Sequence, residues 1–185
     1  MSQNGCVPIE PDTKDWTWVL ERPCPDCGFD SATVAVADIG ATVRADAGAW
    51  RTVLARPVAE LRTRPREDTW SPVEYACHVR DVHRVFAERI RLMLEHDDPE
   101  LASWDQDRAA VTGEYAAAAP ADVLPALVTA ADEVADLYDG VPDDAWERTG
   151  RRGNGAAFTV ASLGRYHLHD LAHHLVDVGQ DPGRA

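Results

Sequence analysis

The stretch from Ser71 to Glu95 restricts the fold of this chain most strongly. Ser71-Pro72-Val73-Glu74 is a capping box with proline at the first helical position, which predicts a helix from Ser71 to about Glu95. At about 100° per residue, Ser71, Glu74, Tyr75, Asp81, Val82, Val85, Arg89, Leu92 and Met93 fall within about 60° of His78. His78 therefore sits on a mixed face with an apolar stripe through it, and a face of that kind packs against other helices.

A second helix is signposted near the end of the chain. Thr159 is placed as its N-cap, Phe158 and Leu163 as a hydrophobic staple, and Gly179 and Pro182 as its stop. His169 and His173 lie one turn apart and share a face with Ser162, Tyr166 and Val176. His167 and His174 point roughly 140° to 160° away from His169, so the spacing assigns them to a different face. The expected ligand set is thus His78, His169 and His173. Three neutral imidazoles leave one or two positions for water or substrate, the arrangement of catalytic zinc. Taken singly, each histidine also reads as a satisfied core residue or part of a polar helix face.

Residues 1–30 read as an irregular leader containing Trp16, Trp18 and Pro23-Cys24-Pro25-Asp26-Cys27-Gly28, and residues 31–185 as one helical domain. Asp38 can cap a first helix running to about Ala55, although Gly40 and Gly48 weaken it. After the second helix, Asp97-Asp98-Pro99-Glu100 is a break. A long connection through Trp104, with a short helix at 105–117, leads to a third helix at about 122–139, ended by Gly140 and Pro142. The segment Thr149–Gly155 reads as the most flexible loop, and the last helix follows it. The expectation is an all-α, up-down four-helix bundle with a long crossover connection and an irregular N-terminal leader.

A length of 185 residues suits one domain with a full core. A net charge of −14, with Lys14 the one lysine, argues against a nucleic-acid partner, because phosphate neutralisation needs clustered cations. No stretch approaches the roughly 18 to 20 apolar residues that span a bilayer, and the first residues carry neither a charged n-region nor an apolar h-region. No membrane association and a cytoplasmic location are expected, with a homodimer left open.

The cysteines are Cys6, Cys24, Cys27 and Cys77. Cys24-Pro-Asp-Cys27-Gly could be half a zinc knuckle, though only Cys6 lies nearby in sequence as another thiolate where four ligands are wanted, a redox pair, or two reduced thiols in a Pro-rich turn that holds the leader against the bundle. The last is expected in a reducing compartment. Cys77 reads as a small packed residue. Glu74 is explained by its capping role, and Asp170 is placed to fix a neighbouring imidazole. Arg89, Arg165 and Tyr166 lie near the expected site faces and Arg151 and Arg152 on the loop before the last helix. The first three could meet an anionic substrate, and a solvated or structural role reads equally well for all five.

The stretches Trp70-Ser-Pro-Val-Glu-Tyr-Ala-Cys-His78 and Arg165-Tyr-His-Leu-His-Asp-Leu-Ala-His-His-Leu-Val-Asp-Val-Gly179 resemble the DinB-like superfamily of metal-binding four-helix bundles. The likeness covers about residues 36–180 and is strongest to the mycothiol-dependent branch, which includes maleylpyruvate isomerase-like enzymes. It implies that His78, His169 and His173 bind a divalent metal, zinc or nickel. It also implies mycothiol as co-substrate and a small electrophile as its acceptor, in S-transfer or thiol-assisted isomerisation. In that scheme the metal activates the thiol and no protein nucleophile is needed. Two rivals stand beside it: a metal-hydroxide hydrolase, and a protein that binds a metal or small molecule without turnover.

Overall fold

The computed structural model describes residues 15–181, so Cys6, Lys14 and Pro182 lie outside the described part. The helices are α1 (Ile39–Leu54), α2 (Val58–Leu61), α3 (Pro72–Glu95), α4 (Gln106–Thr112), α5 (Pro120–Asp139) and α6 (Val160–Asp177). Of these, α1, α3, α5 and α6 form the four-helix bundle. Helix α5 packs along both α1 and α3, α6 closes the other side against the same two, and α1 meets α3 only marginally. The first two long helices thus stand across the bundle from one another, as do α5 and α6, so the α1–α3 link, which includes α2, and the α5–α6 link both cross it.

Local chemistry explains the helix ends. At the start of α3 the Glu74 carboxylate accepts from the Ser71 backbone N–H at 2.9 Å and from its hydroxyl at 2.7 Å. Arg64 donates to the same carboxylate, with Nε 2.9 Å from Oε2. In α6, Thr159 and Ser162 cap reciprocally: Ser162 N–H donates to Thr159 Oγ1 at 3.1 Å and Thr159 N–H to Ser162 Oγ at 2.9 Å. The helix ends in a Schellman motif, with Gln180 N–H on Leu175 O and Gly179 N–H on Val176 O, and Gly179 at φ +70°.

Helix α1 differs from expectation in how it starts. Asp38 stands at its N-cap, but its side chain caps nothing, and its carbonyl accepts the Thr42 hydroxyl at 2.8 Å. Gly40, which weakens helix propensity, lies where α1 approaches α5 closely: a Cβ there would lie 3.0 Å from the Ala135 carbonyl and closer still to Asp139. The close approach compensates for the propensity lost.

The loop expected at Thr149–Gly155 is partly a β-ribbon. Strand β1 (Glu100–Leu101) pairs in parallel with β2 (Thr149–Arg152), which pairs antiparallel with β3 (Ala157–Thr159). Strands this short carry no alternating signal, and Gly150 packs against Met93 where a Cβ would come within 2.8 Å. Among the described residues no helix is long and apolar enough to cross a membrane.

The core is aliphatic and aromatic, with Trp50, Ile90, Leu127 and Leu163 among its fully buried side chains. One polar chain crosses it: Tyr138 Oη lies 3.1 Å from His167 Nδ1, and His167 Nε2 lies 3.1 Å from His83 Nδ1. His167, set on its own face by the sequence, is thus a core residue stacked on Phe86 at 4.3 Å. Burial holds both imidazoles neutral, His83 with a pKa pushed down to about 3.

Candidate functional site

Helix α6 presents two ligand pairs at four-residue spacing, offset by one residue: His169 with His173, and Asp170 with His174. The offset turns them about 100° apart, towards different neighbours. His78 on α3 meets Asp170 and His174, with one ligand atom from each within 4.8 Å of the others. His169 and His173 instead meet Cys24 and Cys27 of the leader, again within 4.8 Å. The set expected from the sequence, His78 with His169 and His173, is therefore divided between two clusters. The spacing identified the pairs, but which pair faces α3 is decided by the leader packing along the other side of α6.

In the first cluster Asp170 Oδ1 lies 3.6 Å from His78 Nε2 and 3.2 Å from His174 Nε2. His174 Nδ1 lies 2.9 Å from Asp177 Oδ2, which orients its ring and leaves Nε2 facing the cluster. His78 is held differently, between the rings of Trp70 at 5.1 Å and Trp104 at 5.4 Å. Both of its ring nitrogens are buried without a hydrogen-bond partner, as is Asp170 Oδ1. A buried imidazole and carboxylate oxygen that converge without satisfying one another suit a shared cation.

Without an ion, Asp170 and His174 form an ion pair, so a metal entering the cluster would displace the His174 proton. Burial works against a charged His174, but Asp170 and Asp177 outweigh it and raise its pKa to about 10. Burial opposes the Asp170 charge as well, yet the facing imidazoles hold its carboxyl well below the usual range. The buried His78 is pushed down by burial and stays neutral, which leaves a lone pair for a metal. Two imidazoles and one carboxylate form a three-ligand set that leaves positions open, as in catalytic zinc sites and the facial triads of other divalent metals.

Asp170 and His174 line a cleft of about 880 Å³ walled by Trp16, Trp70, Trp104, Tyr75, Tyr166 and Arg152. The sequence reading set Asp170 and His174 aside for their angle from His169; their own i, i+4 spacing is the signal that pairs them, and it is this pair that meets His78. The same reading placed Tyr166 near the site and Arg152 on the loop before the last helix, and both line the cleft. The other arginines are engaged elsewhere: Arg165 donates to Val34 O, the buried Arg89 to Ala102 O, and Arg151 pairs with Asp98. Glu74 is taken up by its cap and Arg64. Cys77 is wholly buried, its thiol pushed up to about 11 by burial, and it packs as expected.

In the second cluster Cys24 Sγ lies 3.8 Å from His173 Nδ1. Cys24 is buried, Cys27 is half-buried, and neither is in a disulfide. Trp16 lies over both histidines, 5.6 Å from His169 and 5.0 Å from His173 between ring centroids.

Comparison with known proteins shows a match to the family model of the DinB superfamily over residues 20–177. No curated protein matches the chain. Among solved structures, YfiT from Bacillus subtilis is similar at a TM-score of 0.72 and 17% identity, covering 80% of this chain and 87% of that one. YfiT is described as a probable metal-dependent hydrolase with an unusual four-helix bundle topology.

Proposed function

Because the chain belongs to the DinB superfamily, whose family model spans residues 20–177, we propose that the cleft above His78, Asp170 and His174 is the active site of a metal-dependent enzyme. Its reaction is the transfer of a low-molecular-weight thiol, mycothiol or a close equivalent, to a small electrophile. The observation that carries the metal is the convergence of unsatisfied buried donors, His78 Nε2 and Asp170 Oδ1, on one point beside His174. A divalent ion held there supplies Lewis acidity that lowers the pKa of a thiol or water at its open positions. Zinc fits the donor set and nickel is compatible with it.

The protein's own residues then do three things. His78, Asp170 and His174 hold the ion, and Asp177 fixes the His174 ring. Trp16, Trp70 and Trp104 exclude water from the cleft and offer flat apolar faces to a bound molecule. Arg152 and Tyr166 give its wall polar groups that can orient a substrate. The volume lies in the upper part of the range for small-molecule sites, which suits a thiol and an acceptor bound together. In this reading Asp170 serves as a ligand and Asp177 is taken up by His174. Thiol chemistry needs no general base from the protein once the ion lowers the thiol pKa.

Hydrolysis is the second reading, favoured by the description of YfiT, whose fold this chain shares. The test incubates the metal-loaded protein and a model electrophile with and without the thiol and follows products by mass spectrometry. Adduct that requires both metal and thiol, and that falls by orders of magnitude in His78→Ala, is the expected result. Thiol-independent release of hydrolysis products would transfer the assignment to the hydrolase.

A further inference from the structure

The second cluster is a site in its own right. We propose that Cys24, Cys27, His169 and His173 bind a structural zinc ion that staples the leader to α6. Four soft and borderline donors, two thiolates and two imidazoles, form the closed tetrahedral set of structural zinc, and the spacing C-x2-C with H-x3-H is that of such sites. Ligand atoms around tetrahedral zinc stand about 3.5 Å apart given its bond lengths. Cys24 Sγ and His173 Nδ1 already stand at 3.8 Å, and all four donors lie within 4.8 Å, so little movement closes the shell.

The leader is shaped for this. Gly28 N–H donates to Cys24 O at 2.8 Å and Cys24 N–H to Phe29 O at 2.9 Å, which folds Cys24–Phe29 into a tight knuckle with Gly28 at φ +74°. The Phe29 N–H is turned towards the Cys27 sulfur, although burial outweighs it and pushes the free thiol up to about 11. Across from it, His169 Nε2 is buried with no partner. Asp177 Oδ1 lies 4.0 Å from His173 Nε2, the ring nitrogen opposite the one facing Cys24. Reduced thiols alone would leave this donor set unexplained.

Binding is acid-linked and balanced: both thiols give up their protons to solvent, and the neutral imidazoles contribute lone pairs. The ion would fix His169 and His173 beneath Trp16, so this zinc also builds one wall of the cleft without taking part in its chemistry. The site does not depend on the metal assigned to His78.

The test is cobalt titration of untagged, chelator-stripped, reduced full-length protein. Wild type is expected to bind two equivalents, one of which gives the near-ultraviolet thiolate-to-cobalt charge-transfer band. That band persists in His78→Ala, which binds one equivalent and loses turnover. It disappears in Cys24→Ser/Cys27→Ser and strengthens in His169→Cys, which adds a third thiolate. Absence of the band in wild type, its loss in His78→Ala, or a Cys24–Cys27 disulfide in the reduced preparation overturns the proposal. Because wild type and His78→Ala already decide the matter, a serine variant that fails to fold leaves the test intact. Turnover without the band would sink this site and spare the active-site assignment.

Discussion

Asp46 is a buried acid on α1 whose Oδ2 has no hydrogen-bond partner. Burial raises its pKa to about 7, with His174 and Trp50 opposing. A folded-state pKa above the unfolded value of about 3.9 means the folded chain holds the proton more tightly. Stability from this group is complete below about pH 4 and is lost as pH rises towards 7, where the carboxylate must ionise without a partner. Asp46→Asn keeps the shape and removes the charge. In metal-stripped protein it should raise the unfolding free energy by on the order of 1–3 kcal/mol at pH 8 and change little at pH 4. Urea denaturation at the two pH values checks this, and equal effects at both would show that the carboxyl is not titrating. The ligand residues teach a related lesson. Spacing reveals that α6 carries paired donors, yet one residue of phase separates a site facing α3 from one facing the leader. Neither the carboxylate's role nor the partner of His169 is written in the helix itself. Cys24 and Cys27 read as a turn with reduced thiols or as half a knuckle, and the histidines they meet lie in a segment far along the chain.

Between elements, the chain Tyr138–His167–His83 ties α5, α6 and α3 together inside the core. Each neutral imidazole offers one donor and one acceptor, so the network is consistent in either direction, but it must be kept or removed as a whole. His167→Phe would strand Tyr138 Oη and His83 Nδ1 and should cost about 2–4 kcal/mol. The triple change Tyr138→Phe, His83→Leu and His167→Phe replaces every polar member by an apolar one and should cost less than the single change. Chemical denaturation of the two variants decides it; a triple variant weaker than His167→Phe would mean the network stabilises beyond its unsatisfied atoms. There is a pH signature as well. Both imidazoles have folded pKa values below the unfolded value of about 6.5, so the stability they confer is present above that pH and lost as pH falls through and below it. The acid limb of the stability profile should be flatter in the triple variant. The helices themselves were legible because capping boxes, a Schellman glycine and long apolar stripes are local signals. The β-ribbon was not, since strands of two to four residues are defined by their partners.

For the whole molecule, charge is the property that packing does not resolve. The chain has 18 cationic residues against 32 carboxylates, and its ion pairs share the imbalance. Arg44 alone faces Asp132, Asp136 and Asp139 across α1 and α5, so that cluster keeps an excess of negative charge. Surface pairs of this kind contribute little and are screened by salt, whereas repulsion among the remaining carboxylates acts over the whole compact surface and is relieved on unfolding. The screening length shrinks from about 30 Å at 0.01 M to about 8 Å at 0.15 M ionic strength, which is from the breadth of the bundle to a single neighbour. Repulsion is therefore the effect that salt removes more completely. The thermal midpoint of the full chain should rise with sodium chloride over that range, and the gain should shrink if Asp132 and Asp136 are both replaced by Asn. A midpoint that falls with salt would show that the attractive pairs dominate. The same field bears on the cleft: an anionic substrate approaches against the net charge, so its capture depends on Arg152 and the aromatic walls at close range rather than on long-range steering.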